Sequence, residues 1–281
     1  MPFGKKANGN DTFKMKKRST RTYTRTQSQY TLRGKKLNGQ NKISLSFADS
    51  GKVGTSELIK IIEIPEDLLE DAVEAAKEDH PDASVAEIKT IAHADALNEW
   101  MAGNTVDFFS ELSLLYATVE KKHIDMCKNG EPGVGFPPGC AYQFPGLDDN
   151  SAARYCDTTL AWIEDQVHNE NVFPEDEDTK FPDDFIDTYV SKIFKRMFRI
   201  YAIILTTCWD GEDSMKAQES DEYCIASFKH FYFFMLRHDL LKNDQEKEAL
   251  KNNQMAKTGM TLKSIEEEYR KSAAAYEATK N

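Results

Sequence analysis

The sequence predicts an all-α protein with a helix bundle at its centre, and three observations support this. Several segments repeat apolar residues every three to four positions, which is the period of an amphipathic helix. No segment shows the alternation of a β-strand, and no internal repeat is found. The stretch 128–150 is punctuated by Gly and Pro and predicts a long loop. Together these patterns favour a central four-helix bundle with flanking helices.

The segments before the loop are predicted as follows. A short helix over 56–64 ends at Pro65, which also begins an acidic helix over 66–78. Ser84, with Glu87 three residues later, forms a capping box that opens a helix to about residue 97. Residues 97–122 then form a long amphipathic helix, with apolar positions at Leu97, Met101, Val106, Phe109, Leu112 and Tyr116.

Four further helices are predicted after the loop. They cover 152–169, with Trp162 on the apolar side, 183–207, 219–238 and 262–279. The helix over 183–207 has the clearest apolar stripe, formed by Ile186, Tyr189, Ile193, Met197, Ile200, Tyr201 and Ile204.

Charge is divided unevenly along the chain. Residues 1–42 carry eight Lys and four Arg against one acid, although the whole chain has a net charge of −11. The remaining residues therefore carry −22. An acidic body repels nucleic acid and attracts a basic partner, so we expect a protein partner and no nucleic acid. Residues 1–50 contain few aliphatic residues and predict a basic disordered tail.

The expected location in the cell follows from the lack of a membrane-spanning segment and of a signal peptide. No apolar run approaches the roughly 18 residues of a membrane-spanning helix. The opening residues, Met1-Pro2-Phe3-Gly4, lack the apolar core of a signal peptide. Five cysteines are an odd number and argue against a disulfide framework. We expect a cytoplasmic protein, with the nucleus, a spindle pole or a basal body as alternatives.

One helix carries a stripe of cations. Lys192, Lys195, Arg196 and Arg199 are spaced i, i+3, i+4, i+7 and share a face opposite the apolar stripe. Either neighbouring acids pair with them or they bind an anion, and phosphate fits because Arg binds it in bidentate fashion. Spacing alone favours a solvated face with local salt bridges.

Four stretches, in order, resemble the Mob (Mob/phocein) family of kinase coactivators. The resemblance covers roughly residues 53–245, and four motifs in order are more specific than any one of them. The stretches are Leu97-Asn98-Glu99-Trp100 with Asn104-Thr105-Val106-Asp107-Phe108-Phe109 and Leu115-Tyr116, then Trp162-Ile163-Glu164-Asp165-Gln166 with Phe173-Pro174, then Lys195-Arg196-Met197-Phe198-Arg199-Ile200-Tyr201-Ala202, and finally Ser227-Phe228-Lys229-His230-Phe231.

The resemblance implies a Mob-type fold over 51–245 without catalytic machinery. It implies binding to the N-terminal regulatory region of an NDR/LATS-type protein kinase, at positions that include Glu99, Trp100 and Asp107. Core packing is an equally good reading of Trp100. It also implies a phosphothreonine pocket, fitting a phosphorylated upstream kinase or scaffold, and a place in Hippo-like signalling, mitotic exit or cytokinesis. The pocket residues match Lys195, Arg196 and Arg199, which reverses the preference for a solvated face.

The metal site of the family is incomplete in this sequence. Two Cys and two His hold a structural zinc in typical members, and the matching positions here are His123, Cys127, Ile203 and Cys208. Zinc held by His123, Cys127 and Cys208 stays open, with Cys140 as a fourth ligand. Loss of the metal is the favoured alternative, because Ile203 beside Ile204 and Leu205 would fill the site with apolar side chains.

Other segments also depart from the family. An acidic helical insertion lies near 68–95, and 246–281 forms a helical extension. Thr12 matches a regulatory threonine and is a candidate for phosphorylation, whereas the second such site is replaced around Lys52.

Two other classes of function remain as alternatives. An enzyme is disfavoured, since the sequence has neither a phosphate-binding glycine loop nor a nucleophile elbow, and His230 is predicted to be a satisfied core histidine. The other alternative is a scaffold of a cytoskeletal or centrosomal assembly that has lost kinase binding.

Overall fold

The computed structural model describes residues 55–128, 133–147, 151–176, 179–241 and 257–280. The predicted tail, which includes Thr12, lies outside these residues, and so does Lys52. Within the described ranges the chain forms seven α-helices and no β-sheet. They are α1 (Thr55–Ile61), α2 (Glu66–Asp79), α3 (Val85–Met126), α4 (Ala152–Val167), α5 (Ser191–Thr206), α6 (Asp221–Arg237) and α7 (Leu262–Lys280). The all-α prediction is confirmed.

Helix α3 is the axis of the molecule and corrects one prediction. The sequence predicts two helices that meet near Leu97, but a single helix of 42 residues runs from Val85 to Met126. Its N-terminus carries the predicted capping box: the backbone N–H of Ser84 donates to the Glu87 carboxylate at 2.8 Å, and the N–H of Glu87 donates to Ser84 Oγ at 3.3 Å. Since no Gly or Pro lies between residues 82 and 102, nothing breaks the helix at Leu97.

The central core is shared by α3, α4, α5 and α6. Phe108 of α3 makes edge-to-face contacts with Phe194 of α5 and with Phe231 and Phe234 of α6, at centroid distances of 5.3–5.8 Å. The predicted apolar stripe is buried from Ile193 onward, with Met197 and Ile200 fully enclosed, whereas Ile186 and Tyr189 are half-buried. These contacts fix the side of α5 that faces outward, and with it the position of the cations.

The entry into α5 is irregular. The predicted helix over 183–207 begins as a π-helical segment, Phe185–Val190, in which the N–H of Ser191 donates to the carbonyl of Ile186. Regular α-helix follows from Ser191. This segment packs on both α3 and α5, so the start of α5 is held against the bundle.

The inserted residues form a helical hairpin that consists of α2 and the N-terminal part of α3. Helix α2 lies along α3, and Ala76, Ile88 and Ala92 are buried in a small cluster separate from the main core. At the other end of the chain, α7 packs on α1 and α6. Its Glu268 pairs with Lys229 at 2.9 Å and accepts a hydrogen bond from Thr55 at 2.8 Å.

Candidate functional site

The best-defined site lies where α5 faces α4 and the loop 133–147. Lys195, Arg196 and Arg199 are all half-buried on this side of α5, whereas Lys192 is exposed. The helical period puts Arg196 next to Arg199 and turns both away from the buried Met197 and Ile200. Of the four cations predicted to share a face, one is therefore exposed to solvent and three are partly enclosed.

Arg196 packs against two aromatic rings. Its Cζ atom lies 4.2 Å from the centre of the Phe144 ring and 4.7 Å from that of Trp162, so the loop and α4 together enclose the guanidinium. Burial lowers the pKa of Arg196 from its usual value, and the charge of Arg199 lowers it further. Nη1 of Arg196 is buried and has no hydrogen-bond partner. The Phe144 and Trp162 rings contact each other edge to face, with centres 6.4 Å apart, so they form a corner around the guanidinium and do not cover both of its faces.

Arg199 belongs to the same enclosure. Its Cζ atom lies 5.2 Å from the centre of the Tyr142 ring. The rings of Tyr142 and Tyr155 are 5.7 Å apart. Burial raises the pKa of Tyr155, while the nearby Arg199 and Arg196 act in the opposite direction. The two arginines therefore lie against one wall of aromatic side chains, two of which are tyrosines.

The sequence reasoning missed most of this wall. It placed Trp162 on the apolar side of its helix, and it assigned no role to Tyr142, Phe144 or Tyr155. A signal was present, because Tyr155 and Trp162 are seven residues apart and share one face of α4. The two aromatic residues of the loop stand in a segment whose path the sequence does not specify.

The predicted kinase-binding residues all lie on α3. Trp100 and Asp107 are seven residues apart and share a face of the helix, and Glu99 precedes Trp100. All three are half-buried. The indole N–H of Trp100 donates to the carbonyl of Ile62 at 3.4 Å, beside the C-terminus of α1. Trp100 therefore packs within the protein and also keeps an exposed part.

The residues of the incomplete metal site form a hydrogen-bonded cluster. Nδ1 of the buried His123 lies 2.9 Å from the hydroxyl of Tyr116, and Nε2 lies 3.3 Å from the carbonyl oxygen of Gly135. Burial lowers the pKa of His123 to about 4. The Cys127 thiol donates to the carbonyl of Val134 at 3.5 Å.

This arrangement does not fit a closed zinc site. Burial raises the pKa of the Cys208 thiol to about 11, and Ile203 is completely enclosed. Cys140 lies beside Tyr142, on the side of the arginines. Among the described residues, no group of three or more His, Cys, Asp or Glu side chains is placed to hold a metal ion.

His230 corrects another prediction. It is enclosed as predicted, with its ring centre 4.8 Å from that of Phe108. However, both ring nitrogens are buried without a hydrogen-bond partner, so it is not a satisfied histidine. Burial lowers its pKa to about 4. It lies among aromatic rings and makes no contact that would fit a catalytic base.

Comparison with known proteins assigns the chain to a family. A sequence model of the Mob1/phocein family matches residues 80–249. Human MOB kinase activator 3A is 33% identical over 163 residues, which are 55% of this chain and 70% of the relative. The fission yeast (Schizosaccharomyces pombe) maintenance of ploidy protein mob1 is 30% identical over 171 residues, 58% of this chain and 77% of the relative.

A third relative, MOB kinase activator 3A of Bos taurus, is 32% identical over 165 residues, 56% of this chain and 71% of the relative. The family model covers more than half of the chain, and the chain covers more than two thirds of each of these relatives. The chain belongs to the Mob1/phocein family. This membership confirms the resemblance seen in the sequence and the prediction of a protein without catalytic activity.

None of the helices in the described ranges combines the length and the apolarity needed to cross a membrane.

Proposed function

We propose that this protein is an adaptor that binds phosphothreonine-containing segments at Lys195, Arg196 and Arg199 and the N-terminal regulatory region of an NDR/LATS-type kinase. The observation that carries the first half is the state of Arg196. It makes no ion pair with any described residue, although it is half-buried and packed against two rings. A charge held in this way needs an anionic partner, and a phosphate dianion supplies one from outside the chain.

Competing anions of the chain itself would weaken this proposal. The groups that shift the pKa of Arg196 are Tyr155 and Arg199, and no carboxylate is among them. The aromatic walls also favour Arg over Lys here, because a guanidinium stacks on rings while its edge binds oxygen atoms. The partner that fits is a phosphorylated segment of an upstream kinase or scaffold.

Substitution of the arginines tests the phosphate site. We expect Arg196→Ala or Arg199→Ala to weaken binding of a phosphothreonine peptide library by about 1.5–3 kcal/mol, as for hydrogen bonds to charged groups. Lys192→Ala is the matched control, since Lys192 is exposed on the same helix. Isothermal titration calorimetry measures the change. Equal losses for all three variants would indicate general electrostatic attraction and would contradict a specific pocket.

The kinase half of the proposal rests on charge and on the face of α3. The body of the chain carries −22, and a basic helical segment is complementary to it. Trp100 and Asp107 share one face of α3, and Trp is among the residues enriched in binding hot spots.

A binding assay against the N-terminal regulatory segments of NDR-type kinases tests this half. We expect binding that weakens with salt and is reduced about tenfold by Asp107→Asn, because one charge pair is lost. Glu222→Gln, an exposed change at the start of α6, is the control. No binding at low salt would leave the scaffold of a cytoskeletal or centrosomal assembly as the better account. The proposed location is the cytoplasm, with the nucleus, a spindle pole or a basal body as alternatives.

A further inference from the structure

The carbonyl of Ile62 accepts side-chain hydrogen bonds from two different helix segments. Nε2 of the His238 imidazole lies 3.0 Å from this oxygen, and the indole N–H of Trp100 donates to it at 3.4 Å. A carbonyl oxygen has two lone pairs and accepts both bonds, so Nε2 of His238 carries the ring proton. Ile62 directly follows α1, where a helix runs out of intrahelical donors for its carbonyls. The two side chains therefore satisfy the end of α1.

His238 stands at a well-defined end of α6. The backbone N–H of Leu240 donates to the carbonyl of Met235 at 3.1 Å, and Asp239 takes the left-handed conformation of a Schellman motif, with a φ of 49°. The imidazole also packs on the ring of Phe234, with ring centres 4.5 Å apart. The donor atom of His238 is therefore held by the main chain at the end of α6 and by an aromatic contact.

A second contact joins the same end of α6 to the segment between α1 and α2. Arg237 and Glu63 form an ion pair, with 2.7 Å between Nη2 and Oε2, and the Glu63 side chain is largely enclosed. Ile62 is fully buried. Consecutive residues at the end of α6 therefore hold consecutive residues after α1, and the Trp100 indole donates to an acceptor whose position α6 sets.

We propose that His238 is a positioning residue for Trp100 and fixes the indole in the orientation with which the proposed kinase-binding face of α3 meets a basic segment. This inference rests on the proposed function, because it concerns how that face is held. The bond from His238 is the shorter one and dominates the position of the carbonyl, whereas the Trp100 bond is long and depends on that position. A side chain that is already ordered loses less conformational freedom on binding.

Two substitutions separate the donor of His238 from its ring. His238→Phe keeps the contact with Phe234 and removes the N–H donor, whereas His238→Gln keeps an N–H donor near the position of Nε2. We expect His238→Phe to weaken binding of the N-terminal regulatory segment of an NDR-type kinase to the full chain about two- to tenfold, as for one side chain that must be ordered on binding. His238→Gln should restore most of the affinity.

Tyr201→Phe is the control for a general loss of stability. It removes a buried hydrogen bond, 2.7 Å long to Ser227 Oγ, in which neither His238 nor Trp100 takes part. This variant should lower the melting temperature and leave the affinity for the kinase segment unchanged. Melting temperatures of all variants show that each one is folded.

The indole N–H signal of Trp100 reports the contact directly. The chain has three tryptophans, and Trp100→Phe assigns the signal in a nitrogen–proton correlation spectrum. In His238→Phe we expect hydrogen exchange at the Trp100 indole to be about two- to tenfold faster, as for loss of one hydrogen bond. The indoles of Trp162 and Trp209 should not change, whereas a general loss of structure would affect all three.

Binding and exchange together distinguish failure of this inference from failure of the proposed function. An unchanged Trp100 indole in His238→Phe, with the wild type binding the kinase segment, would overturn the positioning role alone. A changed indole with undiminished affinity, or an equal loss of affinity in Tyr201→Phe, would overturn the link between His238 and binding. A wild type that does not bind the segment would overturn the proposed kinase binding, and the role of His238 in it.

Discussion

At the scale of single residues, enclosure decides what each polar side chain does. Arg196 and Arg199 follow from the sequence as cations on the outer side of α5, because the helical period is reliable there. Their aromatic surroundings do not follow, since Tyr142 and Phe144 reach the site from a loop. The sequence therefore predicted the charges of the site but not the rings that orient them.

The cluster around His123 leads to a prediction about metal content. We propose that this cluster holds no zinc, because both ring nitrogens of His123 already have partners and Ile203 occupies a ligand position. A methyl group on Gly135 would lie 2.6 Å from Cys127 Sγ, so the loop backbone packs directly on the thiol. Elemental analysis of protein purified without chelator should find no stoichiometric zinc. One zinc per chain, with a lower melting temperature after chelation, would contradict this proposal.

Two histidines whose rings are largely enclosed, His230 and the half-buried His238, predict a dependence of stability on pH. Burial lowers the pKa of His230 and of His238 to about 4, below the value near 6.5 of an unfolded chain. The unfolded state then binds more protons between these values, so stability is present near neutral pH and is lost as the pH falls toward 4. His238 is also held by its contact with the Ile62 carbonyl, at 3.0 Å, and lies near Arg237 and Glu63.

Denaturant unfolding at pH 7 and pH 5 measures this effect. We expect a loss of about 2 kcal/mol per histidine at pH 5. His230→Phe should remove the part of this loss that comes from His230, because an apolar ring then occupies the position beside Phe108. Equal free energies of unfolding for the wild type at both pH values would show that these histidines titrate normally.

At the scale of elements, the sequence predicted helix existence better than helix continuity. The capping box at Ser84 marks the start of α3 correctly, since a cap is a local interaction. The joining of two amphipathic segments at Leu97 was missed because the apolar face changes there. The first part of α3 faces α2, and the later part faces the bundle. The π-helical start of α5 carries no sequence signal that we recognise.

The hairpin formed by α2 and the N-terminal part of α3 should unfold separately from the bundle. Two of the three buried side chains in its cluster are alanines, and Ala92 is 1% exposed. Ala92→Leu should force α2 away from α3, since overpacking costs about 1–3 kcal/mol, and should leave the bundle intact. Hydrogen exchange should show loss of protection in α2 alone. Ala94→Leu, on the exposed side, is the control, and loss of protection throughout the bundle would contradict a separate unit.

At the scale of the whole molecule, the uneven distribution of charge along the chain favours a basic partner but does not identify it. Ten acids and two lysines lie within 66–95, so the hairpin extends the acidic surface near the residues proposed to bind the kinase. Fold class and family membership could be predicted because they depend on repeated patterns over many residues. The fit of the residues to a metal and the aromatic walls of the proposed phosphate site could not be predicted, because they depend on single substitutions and on loop geometry.

The central claim is that the enclosed arginines bind phosphate on another polypeptide. The direct measurement is the affinity of the wild-type chain for a peptide in its phosphothreonine form and in its unphosphorylated form, by calorimetry at one salt concentration. We expect the phosphorylated form to bind about tenfold more tightly or better, which corresponds to roughly 1.4 kcal/mol or more. Equal affinities for the two forms would contradict it.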